Sequence, residues 1–326
     1  METLNDYGAV KHFGVPTFTS GIFRTWLGMG DLTGALRLSG ILMLLIFSLL
    51  IFEKKLRSRS KYHEILNSKP SSEKKLLNKN KSIIAICCCS IPLALGFFIP
   101  VSRMISWAWI SRNSASELDG IELIGNSLGL ATITSLTIVA IATFLVFSAR
   151  YYKSAITYFS NRLAILGYSI PGAVIAIGIL LFVAQVNHLT NYVLTGSLYL
   201  LIFAYIVRYL AVAWQPINAG IESNCDSLNH ASQTLGSSAY TSLTRVNLPL
   251  IKDTIITAGL LVFIDTVKEL PLTLILRPFN FETLSTATFD LSSQAQIAES
   301  SIPALYMIMI VLAPLIFLNY RLENIE

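Results

Sequence analysis

Asp265, Lys268 and Glu269 lie inside residues 253–276, an otherwise apolar run, and Leu270-Pro271 follows them directly. Ionisable groups in hydrocarbon are costly unless they pair or face water, which makes this cluster the first candidate for chemistry. Spacings of i, i+3 and i+4 place all three on one face of a helix, where Lys268 offsets one carboxylate. Pro271 is expected to loosen the helix just beyond them. The residues allow two roles: oxygen-rich surroundings that a hard trivalent cation would tolerate along a polar passage, or an ion-pair network that holds helices in register. None of the three is a metal ligand on sequence grounds.

A second polar island, residues 224–252, reads NCDSLNHASQTLGSSAYTSLTRVNLPLIK. Its pattern predicts a short amphipathic helix, a break at Gly236 and a second helix stopped at Leu248-Pro249 before the chain re-enters an apolar segment. Such a knob, held at one face of a membrane by the flanking spans, is shaped to be gripped by a partner. His230 within it reads as a polar interfacial residue, the alternative being a pH-sensing or metal-binding imidazole.

The remaining reactive residue types form no recognisable site. Cys87, Cys88 and Cys89 sit in a row inside an apolar segment and Cys225 stands apart, so no CxxC spacing marks a metal site or disulfide framework. They read as small residues packing between helices. No nucleophile, histidine and carboxylate assemble at a usable spacing, and no phosphate-binding Gly-Lys loop is present. The chain is therefore not expected to be an enzyme or to hold a metal or cofactor, and its energy must come from elsewhere.

The elements that position these groups follow from composition. Of 326 residues 53% are hydrophobic and 13% charged, with mean hydropathy +0.62, whereas soluble domains carry about 25% charge. A bilayer core takes about 20 apolar residues as a helix. Seven segments meet that length, approximately 35–52, 82–106, 125–148, 163–185, 195–214, 253–276 and 302–319. The chain is thus expected to be an all-α polytopic membrane protein.

Segment 53–81 carries Lys54, Lys55, Arg57, Arg59, Lys61, Lys69, Lys74, Lys75, Lys79 and Lys81 against Glu53, Glu64 and Glu73. Basic loops stay cytoplasmic. Alternation then puts loop 149–162, the polar island and the C-terminus on the same side and the N-terminus outside. The net charge of +5 is a topology signal, and no nucleic-acid partner is expected. Residues 1–34 have neither the basic nor the continuous apolar region of a signal peptide.

The first residues read like the middle of something longer. METLNDYGAVKHFGVPTFTSGIF and KELPLTLILRPFNFETLSTATF at 268–289 share an early Glu, later aromatics, a Thr (Thr17, Thr283) and, six residues on, a Phe (Phe23, Phe289). Each copy is followed by an apolar span. Residues 1–52 are therefore expected to be the tail of an incomplete first unit, 53–81 a mobile cytoplasmic linker, and 82–326 a complete six-span unit.

The order His230-Ala231-Ser232, Gly236, Val246, Leu248-Pro249 resembles the EAA loop of permease subunits in binding-protein-dependent ABC importers. His230 and Ser232 depart from the family's Glu and second Ala. The stretches 265–285 and 2–27 look like the corresponding segments of the fused two-half ferric-iron permeases in that family. The resemblance implies the type I importer transmembrane fold, with its core at about 123–319, in a bacterial inner membrane. It implies a pair of ATP-binding subunits that hold ATP and Mg and grip residues 230–249, a periplasmic solute-binding protein, and a second permease half. Asp265, Lys268 and Glu269 would then border the translocation pathway, and Arg277, Asn280 and Glu282 would face the binding protein or solvent. Thiamine permeases share the fused layout, so thiamine or another small solute is the alternative cargo. An ion-coupled secondary transporter can use the Asp265 cluster but has no need of the knob.

Overall fold

The computed structural model describes residues 5–59, 78–112, 119–151, 154–190, 194–224, 232, 234 and 236–323. Among these every regular element is helical. Short α1 (Gly8–His12) and α2 (Phe18–Phe23), which runs into a π-helical turn at Arg24–Gly28, precede α3 (Leu32–Arg59). A rod of α4 (Lys79–Leu93), a π-helical turn (Ala94–Phe98) and α5 (Ile99–Ile110) follows, the turn starting two residues after Pro92 removes a backbone donor. Next come α6 (Gly120–Tyr151), α7 (Ala155–Leu166), α8 (Gly172–Thr190) and α9 (Leu198–Asn224). Beyond the polar island lie α10 (Ala239–Ser242), a π-helical turn (Leu243–Asn247), α11 (Leu248–Leu250), α12 (Lys252–Val267), α13 (Pro271–Leu276), α14 (Leu284–Ser293) and α15 (Ile297–Glu323).

Among the described residues six helices are long and apolar enough to cross a membrane: Leu32–Glu53, Lys79–Ile110, Gly120–Arg150, Gly172–Leu189, Leu198–Glu222 and Ile297–Tyr320. The remaining expected span, 253–276, is not one helix. Pro271 forces a break, so α12 stops at Val267 and α13 starts afresh at the proline. The span expected at 163–185 is likewise interrupted at Ile170-Pro171, and its long helix begins only at Gly172. Helix α3 runs on to Arg59, so the start of the expected linker is helical, while most of that linker lies outside the described residues.

Helices α6, α9 and α12 pack together as the centre of the bundle. Small residues let the backbones approach where no hydrophobic force separates helix from lipid: Ala131, Ala142, Ala204, Ala213 and Ala258 are buried, and Ser135 Oγ donates to the Gly259 carbonyl at 2.6 Å. On one flank α8 packs against α13 and α3; on the other α15 packs against α14 and α5. The apolar face of the α4–α5 rod is almost wholly uncovered, as expected of a helix whose solvent is lipid.

The two segments paired by sequence share a backbone design. Thr17 caps α2 and Thr283 caps α14, each in a reciprocal capping box with Ser20 and Thr286 respectively. Three residues before each threonine the chain turns through the left-handed region, at Gly14 (φ 68°) and Asn280 (φ 60°). The matching phenylalanines meet at one ring: Tyr7 stacks on Phe23 at 3.8 Å between centroids and lies 5.2 Å from Phe289.

Close approach also explains Gly167, where a Cβ would overlap the Val207 carbonyl oxygen of α9. Gly167→Ala is expected to cost about 1–3 kcal/mol, read as a lower unfolding midpoint in detergent. Gly178→Ala, whose Cβ would meet nothing within 4 Å, is expected to be neutral or slightly stabilising.

Candidate functional site

A helix broken in a membrane frees backbone donors and acceptors that lipid cannot satisfy, so such breaks occur only where protein or water covers them. Here the breaks before α8 and α13 face each other across a cavity of about 460 Å³. Ile170 and Pro171 line it on one side, and Lys268, Glu269, Leu270 and Pro271 on the other. Residues 5–8 close it with Tyr168, Arg208 and Tyr209. It thus lies between the two recurrent segments.

Polar side chains repair the freed backbone. Asn5 Oδ1 accepts the Gly172 N–H at 2.7 Å, at the start of α8. Arg208, on α9, donates through Nη1 to the Ile170 carbonyl at 3.1 Å. Glu269 Oε1 accepts the Leu272 N–H at 3.2 Å, in the first turn of α13. The Glu269 carbonyl takes hydroxyl bonds from Thr273 (2.8 Å) and Ser285 (2.9 Å). Glu269 Oε2 accepts from Tyr209 at 2.6 Å and pairs with Arg208 Nε at 3.4 Å, both partners being buried. Gly172 is small because it must be: a Cβ there would come within 2.6 Å of Glu269 Oε1 and 2.9 Å of Arg208 Nη1.

The structure separates the three charges that a continuous helix would have grouped. Lys268 Nζ pairs with Asp265 Oδ1 at 3.0 Å, and the lysine side chain is 48% exposed. Glu269 has left the helix and its partner is Arg208, not Lys268. The expected shared face is thus corrected, although all three residues still border the cavity. Asn5, Gly172, Arg208 and Tyr209 were missed by sequence reasoning. Arg208 carried a readable signal, a lone cation in the apolar run 195–214; nothing in sequence marked the other three. Further along the chain, Arg277 pairs with Asp290 at 3.0 Å and Glu282 at 3.5 Å. Two of the residues expected to face a partner are therefore tied to each other, while Asn280 forms the left-handed turn between them.

In the polar island His230 and Ala231 lie outside the described residues. Gly236 has φ 80°, and the Ser237 N–H bonds the Ser232 carbonyl at 3.1 Å. This is the glycine-terminated helix end in which only a residue without Cβ is unstrained. Ser232 and Ser242 are buried and share a 2.9 Å hydroxyl contact across the turn, which ties the two arms of the knob. Val246 is half-buried, Leu248 packs against the main core and Pro249 is exposed. The second arm ends at Leu250, one residue after the proline, and α12 begins at Lys252. Among the described residues no cluster of three or more His, Cys, Asp or Glu is placed to hold a metal ion.

Removing one member of the buried pair strands the other charge, so Glu269→Gln is expected to lose about 3–5 kcal/mol of stability. Arg208→Met combined with Glu269→Leu removes the stranded charge but should recover only part of that loss, because the Ile170 carbonyl and the Leu272 N–H lose their partners. Asp265→Asn, whose partner Lys268 is half exposed, should change stability by at most about 1 kcal/mol. Thermal unfolding of the purified chain in detergent checks all three.

Fe(3+)-transport system permease protein FbpB 2 of Haemophilus influenzae is 29% identical over 317 residues, which is 95% of this chain and 61% of that protein. This chain thus spans about three-fifths of that relative's length. A Salmonella typhimurium permease protein, PhnV, named for 2-aminoethylphosphonate transport, is 26% identical over 157 residues, 48% of this chain and 56% of its own. A crystal structure of a bacterial ABC transporter involved in the import of the acidic polysaccharide alginate has the same fold, with TM-score 0.60 and 16% identity over 76% of this chain and 96% of that one. The alginate transporter has also been solved in complex with an alginate pentasaccharide-bound periplasmic protein, with the same TM-score and identity over 76% of this chain and 95% of that one. Residues 141–325, more than half of the sequence, match the family described as binding-protein-dependent transport system inner membrane component, and the chain belongs to that family.

Proposed function

We propose that this membrane permease component serves an ATP-driven importer of ferric iron in a bacterial inner membrane. The observation that carries the reading is the reach of the likeness to FbpB 2, which extends over 95% of the chain and so includes the recurrent N-terminal segment. A solute-binding protein delivers the cargo, a reading supported by the periplasmic protein seated on the alginate relative. ATP and Mg act on separate ATP-binding subunits, and this chain binds neither.

Residues 1–52 act as the end of one permease half, 53–81 as the linker and 82–326 as the other half. The shared threonine caps and left-handed turns support that division. A second permease half, carried on the same polypeptide, on a separate one or by a second copy, completes the assembly. The cavity between the halves is the translocation pathway. Asp265 and Lys268 border it as polar groups that water can reach, and Glu269 braces the break from behind. The loop around His230, Ala231, Ser232, Gly236, Val246, Leu248 and Pro249 receives the push of the ATP-binding subunits, and the serine contact across its turn supports a rigid lever. The similarity to permeases named for 2-aminoethylphosphonate and alginate favours a second cargo reading, a small solute such as thiamine or an anion, through the same assembly.

Uptake by proteoliposomes holding the assembled transporter, supplied with its binding protein, tests the cargo. Ferric iron accumulation that requires internal ATP is expected. Transport of thiamine or a phosphonate instead would move the assignment to the second reading, and uptake without any ATP-binding subunit would end both.

Gly236→Ile forces a β-branched residue into positive φ. It should leave membrane insertion intact and cut uptake per ATP hydrolysed at least about tenfold, the strain costing on the order of 1–3 kcal/mol. Unaltered coupling would count against the lever.

A further inference from the structure

Phe13 and Phe279 stand at the same place in the two recurrent segments, each one residue before the left-handed turn and four before the capping threonine. They are 77% and 94% exposed. Scattered surface hydrophobics need no explanation, but these two are held alike. Two residues before each ring a cation anchors the loop. Lys11 Nζ sits 4.9 Å over the Phe289 ring, and Arg277 Nη2 pairs with Asp290 at 3.0 Å. The anchors land on adjacent residues of α14, so both loops sit at the same end of the bundle. That end is remote from the Gly236 loop, because the chain reaches residues 277–283 by running the length of α12 and then α13 away from it. Each loop also follows directly on residues that line the cavity, Tyr7 and Gly8 in one segment and Leu270 and Pro271 in the other.

We propose that Phe13 and Phe279 form a paired docking surface for the solute-binding protein, each ring entering an apolar socket on it above the mouth of the cavity. The inference rests on the functional reading above and adds the residues that make the contact. A soluble protein fits better than a lipid surface on two counts. The cations beside both rings already have a partner on α14, Phe289 for Lys11 and Asp290 for Arg277. The loops also follow cavity-lining residues, whereas lipid-anchoring aromatics form belts around a bundle's perimeter. Paired apolar tips give a partner orientation as well as affinity, since only one placement engages both.

The test uses the full chain assembled with its ATP-binding subunits in nanodiscs, titrated with the purified, substrate-loaded solute-binding protein of the same transporter. Phe13→Ala and Phe279→Ala should each weaken binding about tenfold, as truncation of a buried aromatic anchor does, and the double variant should lose more. ATP hydrolysis without the binding protein should stay at the wild-type rate. Binding by the double variant within twofold of wild type overturns the proposal. Phe13→Trp and Phe279→Trp supply an independent readout: fluorescence that shifts when the binding protein is added supports docking, and quenching by brominated lipid before its addition overturns it in favour of a membrane anchor. A wild-type complex that does not bind the solute-binding protein at all defeats the functional reading itself, whereas normal wild-type binding with an unaffected double variant defeats only the docking surface.

Discussion

The buried ion pair of Arg208 and Glu269 is the constraint on which the rest of the structure depends. Two helices are interrupted within the bundle, and each interruption exposes peptide groups to a medium that cannot hydrate them. Arg208 answers the carbonyl left by one break and Glu269 the N–H left by the other, and their charges neutralise each other between the breaks. Buried ion pairs add little net stability over apolar residues of the same shape. This pair specifies a shape that apolar residues cannot, a cavity edged by non-helical backbone.

That division of labour changes the meaning of the acidic cluster. Glu269 is enclosed and its carboxylate is committed to three partners, Tyr209 and Arg208 on α9 and the Leu272 N–H of α13, so it holds the break. The neighbouring Asp265 and Lys268 form a separate pair on the cavity side. Helix bracing thus attaches to Glu269, while Asp265 and Lys268 are the pair left at the cavity for the proposed passage. Asn5 supplies the matching repair at Gly172 from the opposite end of the chain, which makes the N-terminal segment part of the cavity wall.

The polar island connects to this wall by a short route. Its turn is set at Gly236, its arms are tied through Ser232 and Ser242, and its second arm leads within one residue into α12. That helix has 16 residues, about 24 Å of rigid rod, and carries Asp265 in its last turn. Beyond the single non-helical residue Ile251, one helix joins the loop to the edge of the break, the geometry that the proposed lever would use.

Much of the molecule was legible in the linear chain. Apolar stretches of sufficient length announced most of the spans because a bilayer imposes one length on any helix that crosses it. Gly236 and Leu248-Pro249 marked the knob, and the threonine-phenylalanine recurrence marked two segments whose caps proved to be built alike, since both signals are local backbone chemistry. The partners of the charges were not legible. Spacing put Glu269 beside Lys268, but Pro271 ended the helix and freed the carboxylate to meet an arginine 61 positions earlier. Such pairing depends on which helices lie side by side, and periodicity within a segment carries no information about that. Sequence determined the membrane class, the spans and the turns because each is fixed by neighbouring residues; only the tertiary structure decided the cavity and the ownership of its charges, because these arise where distant segments share one desolvated space.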